Sequence, residues 1–409
     1  MRARASTLLA ALALTGVALS IGLPRLGGGS TVGPTNVTPP STPSSLAFAA
    51  LVDDAGSGRL PAQERAELVA RLRAMGPTAL ARFLDESVAK DAGETPRLVA
   101  LECLYGCSTA RQVALLVRLA SPETAPTDAL RAALRAAIVH TLERDPRAED
   151  ELAPAWRASE PLREELIAAV GERGQPAGLE FLAWAAEQQE EHLERAVAEG
   201  CLRIAPRARG LDEREQLERL SVLLESTDLA CVQTMAAALA RAQFDSAVPA
   251  LIDLLASDSR GVRERAQRSL QELTGMALGA TPQRWQAWLE TERAWLEREA
   301  PAVLADLGSD DDARVLAALR TISSRRLQRD DLAASVVDML VHGNAAVRAA
   351  ACATLGALGS GVATEALIDC LEDEDDAVLQ AAWSALRQLT GLELPADADL
   401  WRQSIADVG

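Results

Sequence analysis

Cysteine, histidine and carboxylate side chains hold metals, attack carbonyls and move protons, and this 409-residue sequence carries six cysteines and three histidines. Cys103 and Cys107 stand four apart, on one face of a helix, a poor geometry for a bond within that helix. No Cys-x2-Cys pair occurs, so a zinc site built from cysteines is not expected. Cys352 and Cys370 fall on neighbouring antiparallel helices, placed to pair in an oxidising compartment. Cys231 and Cys370 also occupy apolar stripe positions, where a small buried hydrophobe accounts for them. His140, His192 and His342 are far apart, and "EQQEEHLERA" around His192 lacks the second histidine of a zinc-protease helix. There is no GxSxG elbow, no P-loop and no glycine-rich dinucleotide turn. The acidic runs "GSDDDARV" and "LEDEDDAV" precede helices, where carboxylates satisfy free N–H groups and the helix dipole. Their spacing lacks the alternating oxygen ligands and glycine of a calcium loop. No catalytic, cofactor or metal site is expected, and the chain reads as a non-enzyme with no evident small-molecule substrate.

Charge narrows the partners. The formal net charge is −18, spread along the chain, against the basic footprint that nucleic acid or an anionic membrane surface needs. Protein partners remain. Lys90 is the only lysine among 41 basic residues, a bias read as that of a GC-rich bacterial genome.

The elements that would position any site are helices. Aromatics make up 3% of the chain, and alanine, leucine, arginine and glutamate dominate, residues that lose least on entering a helix. From about Ser45 onward, apolar residues recur at three- and four-residue spacing between short Gly, Pro or Asp breaks, as in "PAQERAELVARLRAMG" and "AAVRAAACATLGALG". Short breaks make antiparallel hairpins, and each hairpin has one apolar stripe that only its neighbour can cover.

Ahead of these lies a different segment. Residues 1–26 open with Arg2 and Arg4 and run uncharged from Ser6 to Leu23, a signal peptide or an N-terminal membrane anchor. Residues 27–45 are rich in Gly, Pro, Ser and Thr and read as a flexible linker. The body is therefore expected to be exported: anchored to the inner membrane and facing the periplasm, or secreted or periplasmic if the leader is cleaved.

The chain also repeats itself. "LQELTGMALGATPQRW" ends at Trp285 and "LRQLTGLELPADADLW" at Trp401, in register at a shift of 116. The same shift aligns residues 250–275 with 366–391, and divided among three hairpins it gives about 39 residues each, near the repeat length of HEAT and armadillo units. The sequence resembles HEAT-repeat (armadillo-like) solenoid proteins: the Asp-x4-Val-Arg-x2-Ala pattern stands at Asp258, Val262, Arg263 and Ala266. It is partial at Val347, Arg348 and Ala351, where Gly343 replaces the acid, and weaker at Glu374, Val378 and Ala382, where Leu379 replaces the arginine. The resemblance implies an all-α, right-handed α-solenoid of about nine to ten helical hairpins, with a first array over 46–300 and a second over 301–409. It also implies a scaffold or adaptor that binds other proteins through its concave face. The runner-up is an enzyme or enzyme subunit on such a scaffold, as in HEAT-like phycobilin lyases, or a purely structural envelope spacer.

Particular residues follow. Gly275 and Gly391 are expected to end helices in the left-handed conformation, Thr281 and Asp397 to cap the next ones, and Trp285 and Trp401 to latch back over the stop. Trp288 and Trp295, seven apart on one helix face, read first as core or array-junction packing and, as the alternative, as a candidate partner-binding surface. Asp258, Arg263 and Arg348 are expected to form an inter-repeat ladder with neighbouring acids.

Overall fold

The computed structural model describes residues 60–88, 92–121, 125–208 and 213–408. The expected leader, 1–26, and linker, 27–45, lie outside them. Among the described residues every regular element is helical, none is a strand, and no helix is long and apolar enough to cross a membrane. The described residues divide into two compact units between Glu165 and Leu166.

In the first unit, α1 (Ala62–Ala74), α2 (Pro77–Ser87), α3 (Glu94–Leu104), α4 (Val113–Ala120), α5 (Asp128–Arg144) and α6 (Leu152–Ala158) follow one another with short breaks. The helices α1, α3 and α5 lie side by side, and α4 packs on α6 beside them. Leu72, Val99, Leu116, Leu134 and Ile138 are fully enclosed between these layers, each large aliphatic contributing about 2 kcal/mol. Arg97 is buried with them and donates Nη1 to the carbonyls of Arg118 (3.2 Å) and Leu119 (3.1 Å), partners for the open end of α4.

The second unit holds α7 (Arg163–Arg173, from Leu166), α8 (Gly178–Glu187), α9 (Glu194–Ile204), α10 (Arg214–Ser221), α11 (Leu229–Arg241), α12 (Val248–Leu254) and α13 (Arg260–Thr274). It continues with α14 (Pro282–Arg298), α15 (Ala300–Asp306), α16 (Asp312–Ser323), α17 (Arg329–Val337), α18 (Ala345–Leu358), α19 (Thr364–Asp369), α20 (Asp376–Thr390) and α21 (Ala398–Val408). The second helices of successive hairpins line up: α9 packs on α11 and α11 on α13, then α16 on α18 and α18 on α20. This is the neighbour-on-neighbour stacking of an α-solenoid, in which each hairpin covers the stripe of the last. Val315, Leu319, Val347, Leu355, Val378 and Leu386 all face inward with no exposure.

Four of these hairpins share one turn in strict register, aligned on the first buried position of the second helix, Cys231, Val262, Val347 and Val378; a fifth, built on Leu307, Ser309 and Asp311, repeats its bonds with the first buried residue, Val315, one place later. Seven residues earlier stands a buried leucine, Leu224, Leu255, Leu340 or Leu371. Three residues earlier stands the N-cap, Asp228, Ser259, Asn344 or Asp375, and its side chain accepts an N–H of the first turn. Five residues earlier, Ser226, Ser257, His342 or Asp373 accepts the N–H of the N-cap residue itself, at 3.0, 3.3, 3.1 and 2.9 Å. Two side chains thus hold the backbone that reverses between helices, and polar residue types suffice for both jobs.

Candidate functional site

The repeated sentence is a repeated structure. Gly275 (φ 69°) and Gly391 (φ 72°) take the left-handed conformation, and their N–H groups reach the carbonyls of Gln271 (2.8 Å) and Arg387 (2.9 Å). The threonine before each has a role the sequence reading left unassigned. Thr274 and Thr390 donate Oγ1 to Leu270 and Leu386, and each accepts the N–H two residues on, from Met276 and Leu392 at 3.1 Å. Trp285 and Trp401, both fully buried, turn back and donate Nε1 to the sixth residue upstream: Gly279 O at 2.7 Å and Pro395 O at 2.8 Å. In the second copy Trp383 adds a bond to Leu394 O at 2.7 Å, so adjacent carbonyls of one bridge are pinned by two indoles.

The caps of the two copies differ. Asp397 accepts the N–H of Leu400 at 3.1 Å. Thr281 sits at the N-cap position of α14 but its side chain makes no capping bond. The expected hydroxyl cap is therefore corrected, and Pro282, which has no N–H to satisfy, starts the helix there.

The proposed tryptophan surface does not exist as a surface. Trp295 is 3% exposed and belongs to the core around Val315, Leu319 and Ile322. The Arg325 guanidinium lies 3.9 Å over its ring and is held by Glu292 Oε1 at 3.2 Å. Trp288 is half-buried, its ring edge-on to Trp285 with centroids 5.9 Å apart. Seven-residue spacing placed the two indoles on one face, and that face packs inward.

The ladder divides. Arg348 pairs bidentately with Asp373 of the next hairpin, Nε–Oδ2 and Nη2–Oδ1 both at 2.8 Å, with both side chains largely enclosed. Those bonds raise the pKa of Arg348 and hold the Asp373 carboxyl below the usual carboxylate range. Arg263, at the same turn position, instead donates Nη1 to Ser257 O (2.7 Å) and Asp258 O (2.8 Å) within its own turn. Asp258 and Arg263 therefore do not join the expected inter-repeat ladder: the exposed Asp258 contributes its carbonyl to Arg263 within one turn. Arg348 makes the equivalent bond to His342 O at 2.9 Å, which identifies the shared task as stitching the turn.

Between those last hairpins lies an open groove of about 780 Å³. Val337, Val341 and Ala366 supply apolar wall, and Asp338, Asp369 and Glu374 supply carboxylates. It is lined by the end of α17, the turn that follows it, Arg348 on the first turn of α18, α19 and the turn before α20. Val341 is 87% exposed. Cys370 lines the groove, and its thiol lies near that of the buried Cys352. Among the described residues no group of three His, Cys, Asp or Glu is arranged to hold a metal ion. His140 stacks on Tyr105 at 5.0 Å, His192 is exposed beside Glu190, and the three histidines are not brought together.

This geometry defines an all-α repeat protein whose hairpins stack on their neighbours. The particular repeat is identified in the C-terminal stretch: residues 300–387 and 333–407 match the family model of HEAT repeats, so this part of the chain carries HEAT repeats. No curated protein matches the chain. Among solved structures it is similar to an engineered protein (17% identity, covering 86% of this chain and 96% of that one, TM-score 0.33). It is similar to human deoxyhypusine hydroxylase in complex with glycerol (17% identity, 77% and 97% covered, TM-score 0.23). It is also similar to importin beta (15% identity, TM-score 0.31), covering 84% of this chain and half of that one.

Proposed function

We propose that this chain is a non-catalytic HEAT-repeat scaffold or adaptor that binds a partner protein in the bacterial cell envelope. Its N-terminal segment would anchor it to the inner membrane facing the periplasm, or direct its secretion if cleaved. The observation that carries the binding role is the groove between the last two complete hairpins, with Val341 standing 87% exposed at its edge. An aliphatic side chain exposed at the edge of a concavity is one that a partner's surface can cover. The envelope location rests on the uncharged stretch Ser6–Leu23 behind Arg2 and Arg4.

A photo-crosslinking amino acid at position 341 tests the binding role in the native host, with Ala353, exposed on α18, as the comparison site. A discrete adduct from 341 and none from 353 supports it. Adducts from 353 alone would move the binding face to the second-helix row, and none from either would remove the proposal. The N-terminal residue of the captured chain reports whether the leader is cut.

A further inference from the structure

The turn shared by four hairpins shows what belongs beside the groove and what does not. One residue after the buried leucine, the chain places Glu225, Ala256, Val341 and Glu372, all exposed. Three hairpins use a charged or minimal side chain there, as a solvent position demands. One uses valine. A local rule broken at one of several equivalent positions, without any packing gain inside the chain, marks a site shaped by something outside it.

The charges around Val341 select that something. Of the groove's carboxylates, Asp373 is committed to Arg348, and Asp369 is held by Arg402 at 2.9 Å. Asp338 and Glu374 are exposed and make no hydrogen bond or salt bridge among the described residues, Glu374 feeling only the field of Arg348. Arg348, the groove's only arginine, spends its guanidinium on Asp373 and on the His342 carbonyl. A valine flanked by two unpaired carboxylates complements an aliphatic side chain flanked by basic ones. A second copy of this chain, at −18 overall, would bring like charge to the same place.

The geometry points to a partner segment that carries lysine or arginine on either side of an aliphatic residue, seated with the aliphatic on Val341 and Val337 and the cations on Asp338 and Glu374. This rests on the scaffold reading and gives the partner's contact chemistry.

The test uses the full chain and three fluorescent twelve-residue peptides: alternating Leu and Arg, alternating Ser and Arg, and alternating Leu and Glu. Fluorescence anisotropy at low and moderate salt should rank Leu/Arg first. Val341→Ser should weaken that peptide about tenfold, the worth of one lost aliphatic contact. The pair Asp338→Asn with Glu374→Gln should weaken it by roughly the same factor and remove most of its salt dependence. All three positions are exposed, so folding is not at stake. Equal binding of Ser/Arg and Leu/Arg peptides, with no effect of Val341→Ser, would reduce the groove to diffuse charge and overturn the inference. Preference for Leu/Glu, or a crosslinked homodimer from position 341, would overturn it too. A partner captured at 341 through an acidic or uncharged segment would overturn the chemistry while leaving the scaffold role; no peptide binding and no capture would remove both.

Discussion

Asp245 Oδ2 accepts the backbone N–H of Arg329 at 3.3 Å, although 84 residues separate them. In a stack of hairpins each unit is expected to touch only the next, and this contact skips one. It is a small polar cluster: the Arg329 guanidinium also reaches Gln243 Oε1, and Arg214 lies 3.8 Å from Asp245 and 3.6 Å from Asp330. Both Asp245 and Arg329 are buried, so polar groups held out of water clasp two hairpins that are not neighbours.

Burial dominates at that clasp. It pushes the Asp245 carboxyl above its usual range despite two nearby arginines, and it pulls Arg329 down to about 10. Truncating one partner strands the other, so Asp245→Ala should destabilise the second unit by about 3 kcal/mol in urea unfolding. The raised pKa means Asp245 contributes stability below its unfolded value, near pH 4, and that this is lost as pH rises through the folded value. Asp245→Asn should flatten that part of the stability–pH curve, measured by thermal unfolding from pH 4 upward.

Asp373 works in the opposite sense. Its hydrogen bonds from Arg348 lower its folded pKa, so its contribution is present above the unfolded value and lost as pH falls through the folded one. Asp373→Asn should lower stability at neutral pH and soften the acid limb below about pH 4. Arg348→Lys should lose most of the same stability, because an ammonium cannot grip both carboxylate oxygens and the His342 carbonyl at once.

The indole latches make a matched pair. Trp285→Phe and Trp401→Phe keep the apolar ring but leave the Gly279 or Pro395 carbonyl without its donor, at about 1 kcal/mol each. Alanine at either site should cost about 3–5 kcal/mol, with Trp401→Ala fraying the chain end first in hydrogen exchange.

Gly275→Ala and Gly391→Ala isolate backbone strain. A Cβ at either position meets nothing within 4 Å, so the cost comes from the left-handed φ alone, about 1 kcal/mol each by chemical denaturation.

Thiol reactivity should divide the cysteines five to one. Cys107 is exposed, while Cys103, Cys201, Cys231, Cys352 and Cys370 are buried. Burial pushes the Cys103 thiol up to about 12 and Cys231 to about 11, away from the reactive thiolate. Intact-mass spectrometry after brief iodoacetamide treatment should show one adduct on the folded chain and six in denaturant. Oxidation with diamide before denaturation should protect Cys352 and Cys370 together, since their thiols are near neighbours.

Much of this molecule was legible because it is local. The helix stops at Gly275 and Gly391 and the start at Asp397 all involve residues within four positions of one another. Thr281 and Asp258 show the limit: residue type named the position, but which atom bonds depended on rotamers set by neighbours. The paired side chains of the shared turn, Ser226, Ser257, His342 and Asp373, were missed because three different residue types perform one task. Aligning the buried leucines would have exposed them.

Periodicity and punctuation in the sequence determined the helices, the hairpins and the 116-residue echo, since a backbone hydrogen bond four residues long needs no distant partner. Tertiary structure alone decided that Trp295 is core, that Arg348 but not Arg263 finds an acid in the next hairpin, that Val341 borders a groove, and that Asp245 meets Arg329. The physical reason is that helical spacing states which residues share a face, whereas what that face meets depends on how every preceding hairpin has been packed.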